Sequence, residues 1–122
     1  MIKKTINYVD YNGTDRTEDF YFNLSKAEIA EMELSTTGGL SEKIKRIVES
    51  KDQAEIVKEF KTIIAKSYGI KSEDGKRFIK SKEITEEFMQ TEAYSELFME
   101  LATNVDAASS FIQGIIPKNL NK

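Results

Sequence analysis

The chain has 122 residues, 39% hydrophobic and 32% charged, with a formal net charge of −3. That composition describes one soluble globular domain with a modest core, and its sign argues against nucleic acid as the main partner. Cysteine and histidine are both absent, which excludes disulfides and thiolate chemistry, removes the commonest zinc ligands and takes away the best proton-transfer group near neutral pH.

The opening segment alternates, with Ile2, Ile6 and Tyr8 on one face of a strand and Lys3, Thr5 and Asn7 on the other. Asn12-Gly13-Thr14-Asp15 signals a turn, and a second strand from Thr17 to Leu24 places Phe20, Phe22 and Leu24 on one face. A two-stranded hairpin is barely stable alone, so its apolar face requires a cover. Ser25-Lys26-Ala27-Glu28 has the pattern of a capping box and opens a short helix with Ile29, Met32 and Leu34 inward. Gly38-Gly39 permits a change of direction, after which a second short helix runs from Leu40 or Ser41 through Ile44, Ile47 and Val48.

Asp52-Gln53-Ala54-Glu55 begins the clearest helix, carrying Ile56, Phe60, Ile63 and Ile64 at helical spacing, with Gly69 as its C′ residue. Residues 70–82 read as a polar connection containing the basic group Lys71, Lys76, Arg77, Lys80 and Lys82, with Phe78-Ile79 as a short β-like element. A helix from Ser81 to Gln90 then buries Ile84, Phe88 and Met89. Thr91 starts another, with Tyr94, Leu97, Phe98 and Leu101 on one face and Glu92, Glu96 and Glu100 on the other. Thr103-Asn104-Val105-Asp106 resembles a further capping box and leads into a last helix with Val105, Ala108, Phe111, Ile112 and Ile115, stopped by Pro117. The expected fold is α+β, mainly α, with an N-terminal β-hairpin packed on about five or six short helices. It forms a single domain over 1–122, divided into a hairpin (1–24), helices (25–69), the connection (70–82), an acidic-apolar helical region (83–117) and a tail (118–122).

From Glu83 to Pro117 the chain carries seven acidic residues and no Lys or Arg, alongside many Phe, Met, Tyr, Leu and Ile. Most of those apolar residues are core by default, but together they exceed one narrow stripe, and Met89 and Met99 are adaptable side chains suited to surfaces that accept varied partners. A partner-facing subset drawn from Phe88, Met89, Tyr94, Phe98, Met99 and Leu101 is the candidate site. No catalytic, cofactor or metal residues are assigned. Glu96 and Glu100 share a helix face but lack the histidine partners of di-metal bundles, and Gly38-Gly39 lacks the Lys-Ser/Thr of a phosphate loop. The basic group at 71–82 is interrupted by Glu73 and Asp74 and reads as a solvated loop or a patch paired with the acidic tract.

The run from Phe20 through Leu34, followed by Gly38-Gly39-Leu40, resembles a family of small proteins from the tail modules of long-tailed phages and prophages of Gram-positive bacteria. So do Phe88, the run Thr91 to Ala102, and the closing Phe111-Ile112-Gln113-Gly114-Ile115-Ile116-Pro117. The resemblance covers nearly the whole chain and is to tail assembly chaperones, counterparts of the lambda G product. It implies a non-enzymatic protein that binds the tape measure protein, keeps it soluble and helps it recruit tail tube subunits. It also implies that a minority of chains are extended by a −1 ribosomal frameshift. Pro117-Lys118-Asn119 can be encoded CCA-AAA-AAY, which holds the slippery heptamer A-AAA-AAY near the end of the frame.

The leading expectation is therefore a tail assembly chaperone acting in the host cytoplasm and absent from the mature virion. Its partners would be the tape measure protein and, through a long form, the tail tube protein. No run approaches the ~18–20 apolar residues of a membrane span, and Met1 to Ile6 has no signal-peptide pattern. No cofactor, nucleic acid or membrane partner is expected, and a homo-oligomer stays open. The alternative is a structural virion component, a tail-completion or connector subunit using the hairpin as an oligomerisation edge.

Overall fold

A computed structural model describes residues 1–35 and 53–116. Strand β1 (Ile2–Val9) pairs antiparallel with β2 (Asp15–Phe22), eight residues against eight, from Ile2 opposite Phe22 to Val9 opposite Asp15. The turn between them is organised by Asp10. Its Oδ1 accepts from the Asn12 and Thr14 N–H groups at 2.9 and 3.0 Å, and its own N–H donates to the Thr14 carbonyl. Gly13 takes φ +80°, the left-handed position that a three-residue hairpin loop demands of one residue.

Alternation along the hairpin sorts the two faces as the sequence pattern requires. Ile2, Ile6, Tyr8, Phe20 and Phe22 point to the helices; Thr5 donates to Asp19 and Thr17 to Asn7 across the solvent face, each at 2.7 Å. The sheet does not stop at two strands. After α1 (Lys26–Ser35) and α2 (Gln53–Ser67) the chain passes directly into β3 (Tyr68–Lys71), which pairs antiparallel with β2, and then β4 (Phe78–Ile79) pairs with β3. The expected hairpin is thus half of a four-stranded antiparallel sheet in the order β1-β2-β3-β4.

This corrects two readings of the sequence. Residues 70–82 are not a plain polar connection: the β-like element read at Phe78-Ile79 is β4, and with the end of β3 it makes most of a second hairpin. Gly69 is not a helix cap but a strand residue facing Tyr21. A Cβ there would lie 2.7 Å from the Phe78 ring and 2.9 Å from the Ile79 carbonyl oxygen, so close approach is what calls for glycine. Both elements are too short to carry a periodic signal.

The last three elements are α3 (Lys82–Met89), α4 (Glu92–Thr103) and α5 (Val105–Ile115). Each has a side-chain cap: Ser81 accepts from the Ile84 N–H at 3.1 Å, Thr91 from Tyr94 at 3.2 Å and Asn104 from Ala107 at 3.0 Å. The cap of α5 is Asn104 and not Thr103, whose hydroxyl instead donates back to the Met99 carbonyl within α4. The helix expected from Leu40 or Ser41 through Val48, the Gly38-Gly39 turn, the Asp52 cap and the 118–122 tail lie outside the described residues. So do the side chains of Met32, Leu34, Ile56 and Val105.

Phe22, Leu24, Phe60, Ile63, Ile64, Leu97, Leu101, Phe111, Ile112 and Ile115 form a core shared by the sheet and the helices. The connection after β2 stitches these layers together. The Asn23 N–H donates to the Ser67 carbonyl and the Leu24 N–H to the Ile115 carbonyl, both at 2.8 Å, so the ends of α2 and α5 meet there. At the start of β1, Ile2 packs against Gly114, where a Cβ would come within 2.8 Å of the Ile2 Cδ1.

Candidate functional site

The acidic-apolar region folds into α3, α4 and α5, and its charge has a local origin in part. Glu83, Glu92 and Asp106 stand in the first turns of these three helices, where the unpaired N–H groups favour a negative side chain. None of the three helices has a basic residue in its last turn. Acid-only composition in this stretch therefore includes three helix starts, leaving Glu86, Glu87, Glu96 and Glu100 to account for separately.

Glu100 accepts from Lys4 Nζ at 3.1 Å. Lys4 lies on the helix-facing side of β1, opposite Phe20, so this carboxylate neutralises an ammonium that would otherwise sit over apolar residues. At the start of α4, Glu92 lies beside the Tyr11 hydroxyl and raises the tyrosine pKa above its ordinary value. Glu96 borders the hairpin near Tyr8, Val9 and Arg16. The row Glu92, Glu96 and Glu100 consequently runs beside β1, antiparallel to it. At the same end of the hairpin, Arg16 is held by Asp10 and Glu18, and the Tyr8 hydroxyl donates to Glu18. Arg16 in turn keeps the Asp10 carboxyl below the usual carboxylate range.

The six apolar candidates separate by burial. Phe88 is 3% exposed and Leu101 2% exposed. Phe88 is the hub of an aromatic cluster: it stacks on Tyr68 with centroids 4.2 Å apart and an interplanar angle of 12°. It also meets Phe20, Phe22 and Tyr94 at 5.1, 5.8 and 5.8 Å. Neither Phe88 nor Leu101 is placed to touch a partner. Tyr94 and Phe98 are half-buried and packed against the core margin, with their rings 6.0 Å apart. Met89, at the end of α3, is also half-buried, and Met99 is 56% exposed. What remains on the surface is a small apolar strip centred on Phe98 and Met99, flanked by acids of α4.

Sequence reasoning missed the most connected polar group. Lys80 Nζ donates to both Glu28 carboxylate oxygens at 2.7 and 2.8 Å, to the Asn23 carbonyl at 2.7 Å and to the Lys66 carbonyl at 2.8 Å. Glu28 simultaneously closes the capping box of α1, accepting from the Ser25 N–H at 2.9 Å while the Ser25 hydroxyl accepts from the Glu28 N–H at 3.1 Å. Partial burial works against the Glu28 charge, but Lys80 and the Ser25 N–H outweigh it and hold its pKa below the ordinary value. The cap was legible from Ser25-x-x-Glu28; the lysine 52 positions away was not. Of the other basic residues in that stretch, Lys71 lies 5.2 Å from the Tyr21 ring centre and exposed Lys82 is 3.9 Å from Glu86.

Among the described residues no group of three or more His, Cys, Asp or Glu side chains is placed to hold a metal ion, and no helix is long and apolar enough to cross a membrane. A capped three-helix run laid on one face of a four-stranded antiparallel sheet, with an apolar strip between acids, defines a small α+β protein. The chain belongs to the phage tail assembly chaperones, whose family model matches residues 1–122. No curated protein and no solved structure matches it.

Proposed function

We propose that this chaperone binds the tape measure protein of its phage and keeps it soluble while the tail tube assembles around it. The family match carries the reading, and the α4 surface supports it. Met99 and Phe98 offer apolar contact, and Glu96, which forms no ion pair among the described residues, offers a rim that favours basic clients. The protein acts in the host cytoplasm and leaves before the virion is finished. A frameshift at Pro117-Lys118-Asn119 would supply a minority long form that reaches the tail tube protein.

The test is co-expression with the tape measure protein. Soluble tape measure that co-purifies with this chain is expected; tape measure that stays in the insoluble fraction overturns the proposal. Met99→Lys should reduce the co-purified tape measure while leaving the thermal unfolding of the chaperone within about 0.5 kcal/mol of wild type.

A further inference from the structure

Among the described residues the sheet has two edges of unequal size. One is β4, only two residues long; the other is β1, eight residues long. The parity of β1 follows from the turn. Asp10 and Thr14 form a hydrogen-bonded pair, so Tyr8, Ile6, Lys4 and Ile2 direct their backbone groups at β2. Lys3, Thr5, Asn7 and Val9 therefore direct theirs away from the sheet, and no turn, loop or cap among the described residues bonds to them. An edge of this length is a ready template for another strand.

Charge is the usual block on such an edge, and an inward-pointing lysine is one of its forms. Lys4 is such a lysine, but Glu100 neutralises it at 3.1 Å. The edge is also flanked by exposed apolar side chains. Met1 before it, Val9 at its end and Tyr11 in the turn are each more than half exposed.

We propose that β1 pairs antiparallel with β1 of a second copy of this chain, joining two four-stranded sheets into one of eight strands. Backbone parity requires odd residues opposite odd residues. Thr5 opposite its own counterpart at the two-fold axis satisfies this, and it sets Lys3 against Asn7 and Met1 against Val9. Each apolar end then covers the other. On the helix side, Lys4 falls opposite Ile6 of the partner and diagonal to Tyr8, beside which Glu96 stands free of any ion pair among the described residues. The half of each strand that carries Lys3 and the Glu100-paired Lys4 thus meets the half bordered by Glu96 in the other, twice, as a closed two-fold interface demands. A second copy fits this pattern better than an unrelated strand, because the complement is already written into β1 and α4.

Sedimentation equilibrium of the full chain is expected to return twice the 13.9 kDa chain mass. Thr5→Pro removes an outward N–H without touching the β2 ladder, a substitution that edge strands tolerate, and is expected to return the monomer with an unchanged circular dichroism spectrum. The chain has no cysteine, so Thr5→Cys should form a disulfide-linked dimer on mild oxidation. Asp19→Cys, on the same solvent face but on β2, should not. A wild-type monomer at every concentration overturns the proposal, as does a dimer that survives Thr5→Pro or crosslinks equally through position 19. None of these readouts involves the tape measure protein, so the interface stands or falls apart from the client.

Discussion

At the scale of single residues, Phe88 and Lys80 hold positions that no neighbour can take over. Phe88 joins four other rings from β2, β3 and α4, and truncation would leave a cavity in the centre of the core. Phe88→Ala should lower unfolding stability by about 3–5 kcal/mol, read from the denaturant midpoint at constant m-value. Lys80→Met should cost about 1–3 kcal/mol, because it leaves the Asn23 and Lys66 carbonyls and Glu28 without their donor. The lysine also makes stability depend on pH. Since the folded Glu28 pKa lies below its unfolded value of 4.5, its contribution is complete above that value and is lost as pH falls through the folded pKa. The stability gap between wild type and Glu28→Gln, followed by urea denaturation, should therefore be constant near neutrality and shrink on acidification below 4.5. Spacing alone did not distinguish Phe88 from Met99, since both occupy apolar positions of amphipathic helices. What separates them is Tyr68, brought over Phe88 by a strand that local sequence does not announce.

At the scale of elements, helix starts were the most legible feature and short strands the least. Ser25, Ser81 and Thr91 each act as a cap where the sequence suggests a start, because capping is a contact between residues three apart. The α5 boundary is displaced by one residue for the same local reason, as Thr103 and Asn104 are both competent caps and the amide prevailed. β3 and β4 owe their pairing to β2 and to each other, and four- and two-residue segments have no alternation to detect. Gly69 marks this junction. Gly69→Ala should destabilise the protein, since its Cβ meets both a movable ring and a fixed carbonyl. Trimming the ring with Phe78→Leu should recover only part of the loss, as measured in a double-mutant cycle, because the Ile79 carbonyl stays in place.

At the scale of the whole molecule, the described apolar side chains form a core shared by sheet and helices and leave some exposed, among them Met99 on α4 and Met1, Val9 and Tyr11 around β1. The α4 area lies within the segment the sequence singles out, and of the six candidates there Phe88 and Leu101 are interior. The area around β1 was legible only as a hairpin edge, because the acids beside it come from α4, and only the fold lays Glu92, Glu96 and Glu100 along β1. The packing of Ile2 on Gly114, with the Leu24 N–H bonded to the Ile115 carbonyl, bears on connectivity rather than on cohesion. The beginning of β1 and the end of α5 are neighbours, so a covalent link between them would span a short gap. A circular permutant that bridges them with a short glycine-serine linker and opens instead at Gly75, an exposed turn, should fold with the same far-ultraviolet spectrum.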